Sequence, residues 1–218
     1  GLVGSEMCIR DRDAIVIPQL KTALVDGTAP HVIEPYGFRI DSDYVNLGVF
    51  CNHQFSGADK DYVNQILHSY KALYDRAYGY ISAAAALQDA ALPHLFDADE
   101  RAVVCKRVDR VLDRSLGKGN GKNGHTEQRF LSAVSCLGEY RLNEEITKLC
   151  KLIYHINNGF GGAHTALEHA ADSAVQRGAQ VICCPSPVDP ARLEAVLLPE
   201  SGLAFTDGSF ETDGARHI

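Results

Sequence analysis

The chain has 218 residues, a formal net charge of −7, seven cysteines, one Met and no Trp, and 45% of it is apolar. That composition supports a sizeable core in one or two domains. It argues against a nucleic-acid or membrane-surface protein, and no run approaches the roughly 18 apolar residues of a membrane span. The cysteines are scattered without a disulfide framework, and no secretory leader is visible, which points to a reducing cytoplasm.

Gly1 to Arg12 stands apart. The segment "EMCIRDR" back-translates to bases resembling a transposon end ligated onto fragments for sequencing. Residues 1–12 therefore read as adapter translation rather than native chain, with a native polar N-terminus as the alternative.

Next come two similar passages. "DAIVIPQLKTALVDG" begins at Asp13 and "EAVLLPESGLAFTDG" at Glu194, an offset of 181. Each carries an acid, Ala, three aliphatics and Pro, and closes on Asp-Gly (Asp26-Gly27 and Asp207-Gly208). Self-similarity at a long period predicts a duplicated unit. On that basis 13–57 is the tail of a first repeat, 58–125 a helical connector with a Gly/Lys loop, and 126–218 most of a second repeat.

In chain order, Lys21 to Val25 reads as a strand followed by the loop "TAPHVIEP". Tyr62, Ile66, Tyr70, Leu73, Ala77 and Ile81 recur at helical spacing, which predicts a helix from Ala58 to Ala91, ended by Pro93. Asp97 caps a second helix with Val104, Val108, Val111 and Leu112 on one face. "GKGNGKNGH" reads as a flexible solvated linker, the alternative being that Lys118 or Lys122 reaches a neighbouring phosphate. A strand near Phe130 to Val134, a charged segment at Glu144 and Glu145, and an apolar strand at Leu149 to His155 follow. A Gly-rich turn, a helix (Thr165 to Gln176), a strand (Ala179 to Cys184), a short helix (Pro190 to Leu198) and a strand (Gly202 to Thr206) complete the series. Alternating β and α units predict an α/β fold with a parallel sheet, right-handed crossovers and flanking helices.

The Gly-rich turn carries the chemistry. Laid on the phosphate-loop pattern Gly-x-x-Gly-x-Gly-Lys-[Ser/Thr], residues 158–165 match at Gly161 and Thr165. Asn158, Ala163 and His164 replace the first Gly, the third Gly and the Lys. Gly159, Gly161 and Gly162 still permit an anion-binding nest of backbone N–H groups, and the helix start adds its dipole. Thr165 is placed to offer a hydroxyl to Mg²⁺. Histidine is no fixed cation at neutral pH, so the loop is expected to bind nucleotide weakly and hydrolyse it poorly. A βα turn without ligand is the bland alternative. Asp207 follows its strand in the order of an Mg²⁺-shell acid, and Asp26 is its counterpart.

"DAIVIPQLKTALVDGTAPHVIEP", the helical connector, "RFLSAVS" and the loop-to-"DG" module resemble uncharacterised bacterial ATPases with two P-loop domains in one chain. The resemblance covers Asp13 to His217 and is most specific at Asp26 to His31. It implies a RecA- or kinase-like P-loop NTPase fold in each copy, with ATP and Mg as ligands. Asp26, Thr28 and His31 are the first-repeat counterparts. The alternative is a non-enzymatic interaction or regulatory module acting through its helical connector, with a protein partner or the upstream repeat.

Other clusters are weaker. His164 and His169 lie five apart, not the four that puts two ligands on one helical face. Cys183 and Cys184, adjacent in a strand, are expected to be buried thiols facing opposite ways. Asp26, His31 and Glu34 offer an acid–base cluster or a solvated loop. Tyr62, Tyr70, Tyr74 and Tyr78 without a basic stripe read as helix packing, not a nucleic-acid platform.

Overall fold

The structure is a computed structural model. It describes residues 14–27, 42–50, 56–95, 97–117, 119, 124–135, 137–158 and 162–218. Thr28, His31, Glu34, Lys118, Lys122, Gly159 and Gly161 lie outside the described residues, as does the 1–12 segment. The packing of the chain divides it within one helix into residues 1–79 and 80–218.

In the first unit, β1 (Ala14–Ile17) and β2 (Thr22–Val25) form an antiparallel pair joined by a 3-10 corner at Pro18–Leu20. Lys21 closes the corner at φ 49°. The long helix α1 (Gly57–Leu95) starts where Ser56 and Asp59 cap each other. It runs beyond Pro93, where the sequence reading ended it.

The second unit is built on a six-stranded sheet. Helix α2 (Ala98–Leu116) opens with a capping box in which Asp97 accepts from the Glu100 N–H and Glu100 accepts from the Asp97 N–H. Then come β3 (His125–Gln128), a two-stranded hairpin of β4 (Ser132–Ser135) and β5 (Gly138–Arg141), and α3 (Asn143–Leu149). They are followed by β6 (Leu152–His155), α4 (Ala163–Gln176), β7 (Gln180–Pro185), β8 (Leu193–Leu198), β9 (Leu203–Thr206) and β10 (Arg216–His217).

The order across the sheet is β10-β6-β9-β8-β7-β3. Neighbours are parallel except at β8, which runs against both β7 and β9. The sheet is therefore mixed, not parallel. The cause is the segment Pro190 to Leu198, expected as a helix. Leu193–Leu198 is instead a strand buried along most of its length and paired on both edges. A short apolar run fits a helix or a buried strand equally well, and here two waiting sheet edges decide it.

Both faces of the sheet are covered. On one, α2 and α4 pack Val108, Leu112, Leu167 and the alanines of α4 against Val181, Val196 and Phe205. On the other, Ile146 of α3, Leu131 and Phe210 cover Ile153, Cys184, Ala195 and Leu197. Cys183 and Cys184 face opposite layers, as adjacent strand residues must.

The two repeat passages share their geometry. β1 and β2 pair Ala14 with Val25 through Ile17 with Thr22, while β8 and β9 pair Ala195 with Thr206 through Leu198 with Leu203. Every pair corresponds at the same offset of 181. So do the corners, Pro18–Leu20 and Pro199–Ser201, and the positive-φ residues that close them, Lys21 and Gly202.

Candidate functional site

Because β6 and β9 are adjacent and parallel, with His155 beside Thr206, they release the chain at one edge of the sheet. The Gly-rich turn leaves β6 there and Asp207 leaves β9 there. β8 runs the other way and so starts at that edge, with Leu193 and Glu194. Chain order brings none of these groups together; the sheet does.

On the α4 side, the helix begins after Gly162, whose backbone is αR and which supplies no side-chain cap. The first helical N–H groups keep the dipole's positive end for whatever fills the turn. Asn158 is exposed, Gly162 and Ala163 are buried, and His164 and Thr165 are half-buried. His164 has structural work. Its Nδ1 accepts the Leu193 N–H at 3.2 Å, and its Nε2 lies 3.4 Å from Glu168. The ring thus joins α4 to the start of β8 and is not held out as a cation.

On the opposite face lies a polar network that the sequence reading missed. Asp207 Oδ1 accepts from the Ser209 N–H at 2.9 Å and the Ser209 hydroxyl at 2.5 Å. Ser209 Oγ in turn accepts from Arg141 of β5 at 2.5 Å. Arg141 also pairs with Glu139, lies over the Phe210 ring, and stands 4.0 Å from Glu194. Glu194 is buried and takes the Ser132 hydroxyl at 2.7 Å to either oxygen. Its orientation comes from a β-bulge. Cys184 opposes Ala195 and Pro185 opposes Leu193, so Glu194 is the extra residue.

Burial pushes the Glu194 carboxyl up to about 7, with Asp207 adding to the rise and the Ser132 hydrogen bond opposing it. Two strands away on β6, buried His155 shares a 2.6 Å hydrogen bond through Nδ1 with Thr206 Oγ1, and Nε2 lies 3.1 Å from Thr212 Oγ1. Thr206 Oγ1 also accepts the Gly208 N–H at 3.3 Å, so the hydroxyl ties the His155 ring to the turn after β9. Burial, then the neighbouring His217, holds His155 below its usual value despite Asp207. The edge therefore holds a carboxyl raised toward neutrality on β8 and, two strands away on β6, an imidazole held below its usual value.

Other sequence candidates separate. His169 contacts Asp109 of α2 at 3.1 Å while His164 turns to β8, so the two share no ligand. Ser173, His169 and Asp109 meet, but serine and aspartate both approach Nε2, whereas a catalytic triad needs opposite ring nitrogens. Among the described residues no group of three His, Cys, Asp or Glu could hold a metal ion. Burial pushes Cys150 up to about 11 and raises Cys183 and Cys184, which leaves them poor nucleophiles. Asp26, the counterpart of Asp207, follows β2 and is exposed. The rings of Tyr70, Tyr74 and Tyr78 follow one another along α1 at 4.6 and 5.9 Å, each tilted against the next.

The network could have been suspected only from Glu194 heading an apolar run; nothing in the sequence announces its bulge. Among the described residues no helix is long and apolar enough to cross a membrane. No family model, curated protein or solved structure matches the chain.

Proposed function

We propose that the second unit is a P-loop NTPase-like module that holds a nucleotide through its phosphates and hydrolyses it poorly. One observation carries the reading: the chain leaving β6 toward α4, whose start has no side-chain cap among the described residues, and Asp207 share one edge of the sheet, since β6 and β9 are adjacent and parallel. The backbone N–H groups at the start of α4 fit a phosphate. Thr165 would hold the Mg²⁺, which supplies charge neutralisation on the phosphates; Asp207, whose carboxylate is bonded to Ser209 on the opposite face, would have to release that bond to join it. The residue in the lysine position, His164, is committed to Leu193 and Glu168, and that accounts for weak binding and poor turnover. The matching hairpins support reading residues 14–25 as the close of a first copy of the same module, with Asp26 as its acid.

The test is amide hydrogen exchange with and without Mg-ATP. Protection of residues 158–165 is expected, and none at millimolar nucleotide would remove the proposal. His164→Lys restores the missing cation and should tighten binding about tenfold, or ~1.4 kcal/mol. A second reading, an interaction module, is favoured by α1, whose Tyr62, Ile66, Leu73 and Leu87 are exposed.

A further inference from the structure

We propose that α1 is one half of an antiparallel coiled coil whose other half is α1 of a second copy of this chain. α1 is continuous from Gly57 to Leu95, and two rows of its residues repeat every seven positions. Ile66, Leu73, Tyr80 and Leu87 form one row, and Val63, Ala77, Ala84 and Ala91 belong to the other, with Tyr70 between Val63 and Ala77. Spacings alternate between three and four throughout, the 3.5-residue period of a helix that winds around another helix. Lone helices take their stability from a packed face; here Tyr70 is half-buried, but Ile66 is 49% exposed, Leu73 56%, Tyr80 71% and Leu87 74%.

The seam itself names the occupant. Its N-terminal half carries large side chains at nearly every position, while its C-terminal half supplies Ala77, Ala84 and Ala91. Two copies side by side in parallel would set alanine against alanine and leave gaps, and set Leu73 and Tyr80 against themselves. Reversing one copy sets Ile66 against Ala91, Leu73 against Ala84 and Tyr80 against Ala77, so large meets small layer after layer. Tyr70 then meets Leu87, and the overlap of residues 66–91 runs about 39 Å at roughly 1.5 Å per residue. The alternating rows satisfy the requirement that each layer of an antiparallel pair takes one residue from either row. A helix of another protein would have no reason to carry the reversed size gradient; a second copy carries it by symmetry.

Sedimentation equilibrium of the full chain across the micromolar range reads the outcome. The mass should rise from one chain to two with concentration. Leu73→Glu and Leu87→Glu, both at exposed positions, should each weaken the dimer at least tenfold with the far-UV circular dichroism of the monomer preserved. Orientation is read by mixing an Ile66→Cys chain with an Ala91→Cys chain and mapping disulfides by peptide mass. A 66–91 link between chains is expected, and 66–66 links from the single variant overturn the antiparallel arrangement. A mass of one chain at every concentration overturns the proposal, and protected α1 amides in that monomer would show a segment of the same chain in the seam.

Discussion

The hairpins at 14–25 and 193–206 have the same register, the same 3-10 corner and the same positive-φ residue closing it, yet opposite surroundings. In the first, Ile15 is 44% and Leu24 56% exposed; their counterparts Val196 and Phe205 are completely buried. A corner of Pro, two residues and a left-handed closer fixes how its strands pair, because that geometry is local. Whether the strands are worth anything to stability depends on what lies against them, and β8–β9 has β7, β6 and a helical layer on one face.

The sharpest way to break the comparison is to truncate matched positions. Phe205→Ala removes a ring stacked on Tyr154 at 5.8 Å and should cost about 3–5 kcal/mol in denaturant unfolding. Leu24→Ala should stay within about 0.5 kcal/mol. Equal losses would mean that β1–β2 is buried against a partner. The next effect lies in pH. Glu194 sits at about 7 folded against an ordinary 4.5, so between those values the folded chain keeps a proton that the unfolded chain gives up. Stability should fall as pH rises from 4.5 to 7 and level off above, by on the order of 3 kcal/mol in all. Glu194→Gln should abolish that fall. What then remains is His155, lowered when folded from 6.5: its contribution is present above that pH and is lost as pH drops below it. A wild-type profile that rises from pH 5 to 7 would refute the Glu194 assignment.

The smallest effect compares the two corners. Gly202 has φ 64°, and a Cβ there meets only ordinary contact with Lys151 N at 3.8 Å. Gly202→Ala should thus cost only the left-handed backbone term, about 1–2 kcal/mol. Lys21 already bears that strain at φ 49°, so Lys21→Gly should steady β1–β2 by under about 1 kcal/mol, visible as slower amide exchange in residues 14–25 and not in global unfolding.

Local rules settled the starts of α1 and α2, the Asp97 cap, the buried Val108, Val111 and Leu112 face of α2, the opposite facing of Cys183 and Cys184, and the likeness of the two repeat passages. Each depends on residues within a turn or a strand of one another, so the sequence alone could determine them. The tertiary structure decided the rest. It made Leu193–Leu198 a strand because β7 and β9 offered it two edges, and it recruited the polar segment His125–Gln128 as an edge strand beside β7. It gave His164 to the Leu193 amide, and by one bulge it turned Glu194 to Ser132, 62 residues away. A central strand and a buried carboxyl draw their hydrogen bonds from parts of the chain far away in sequence, and no local pattern encodes a partner that only folding brings alongside.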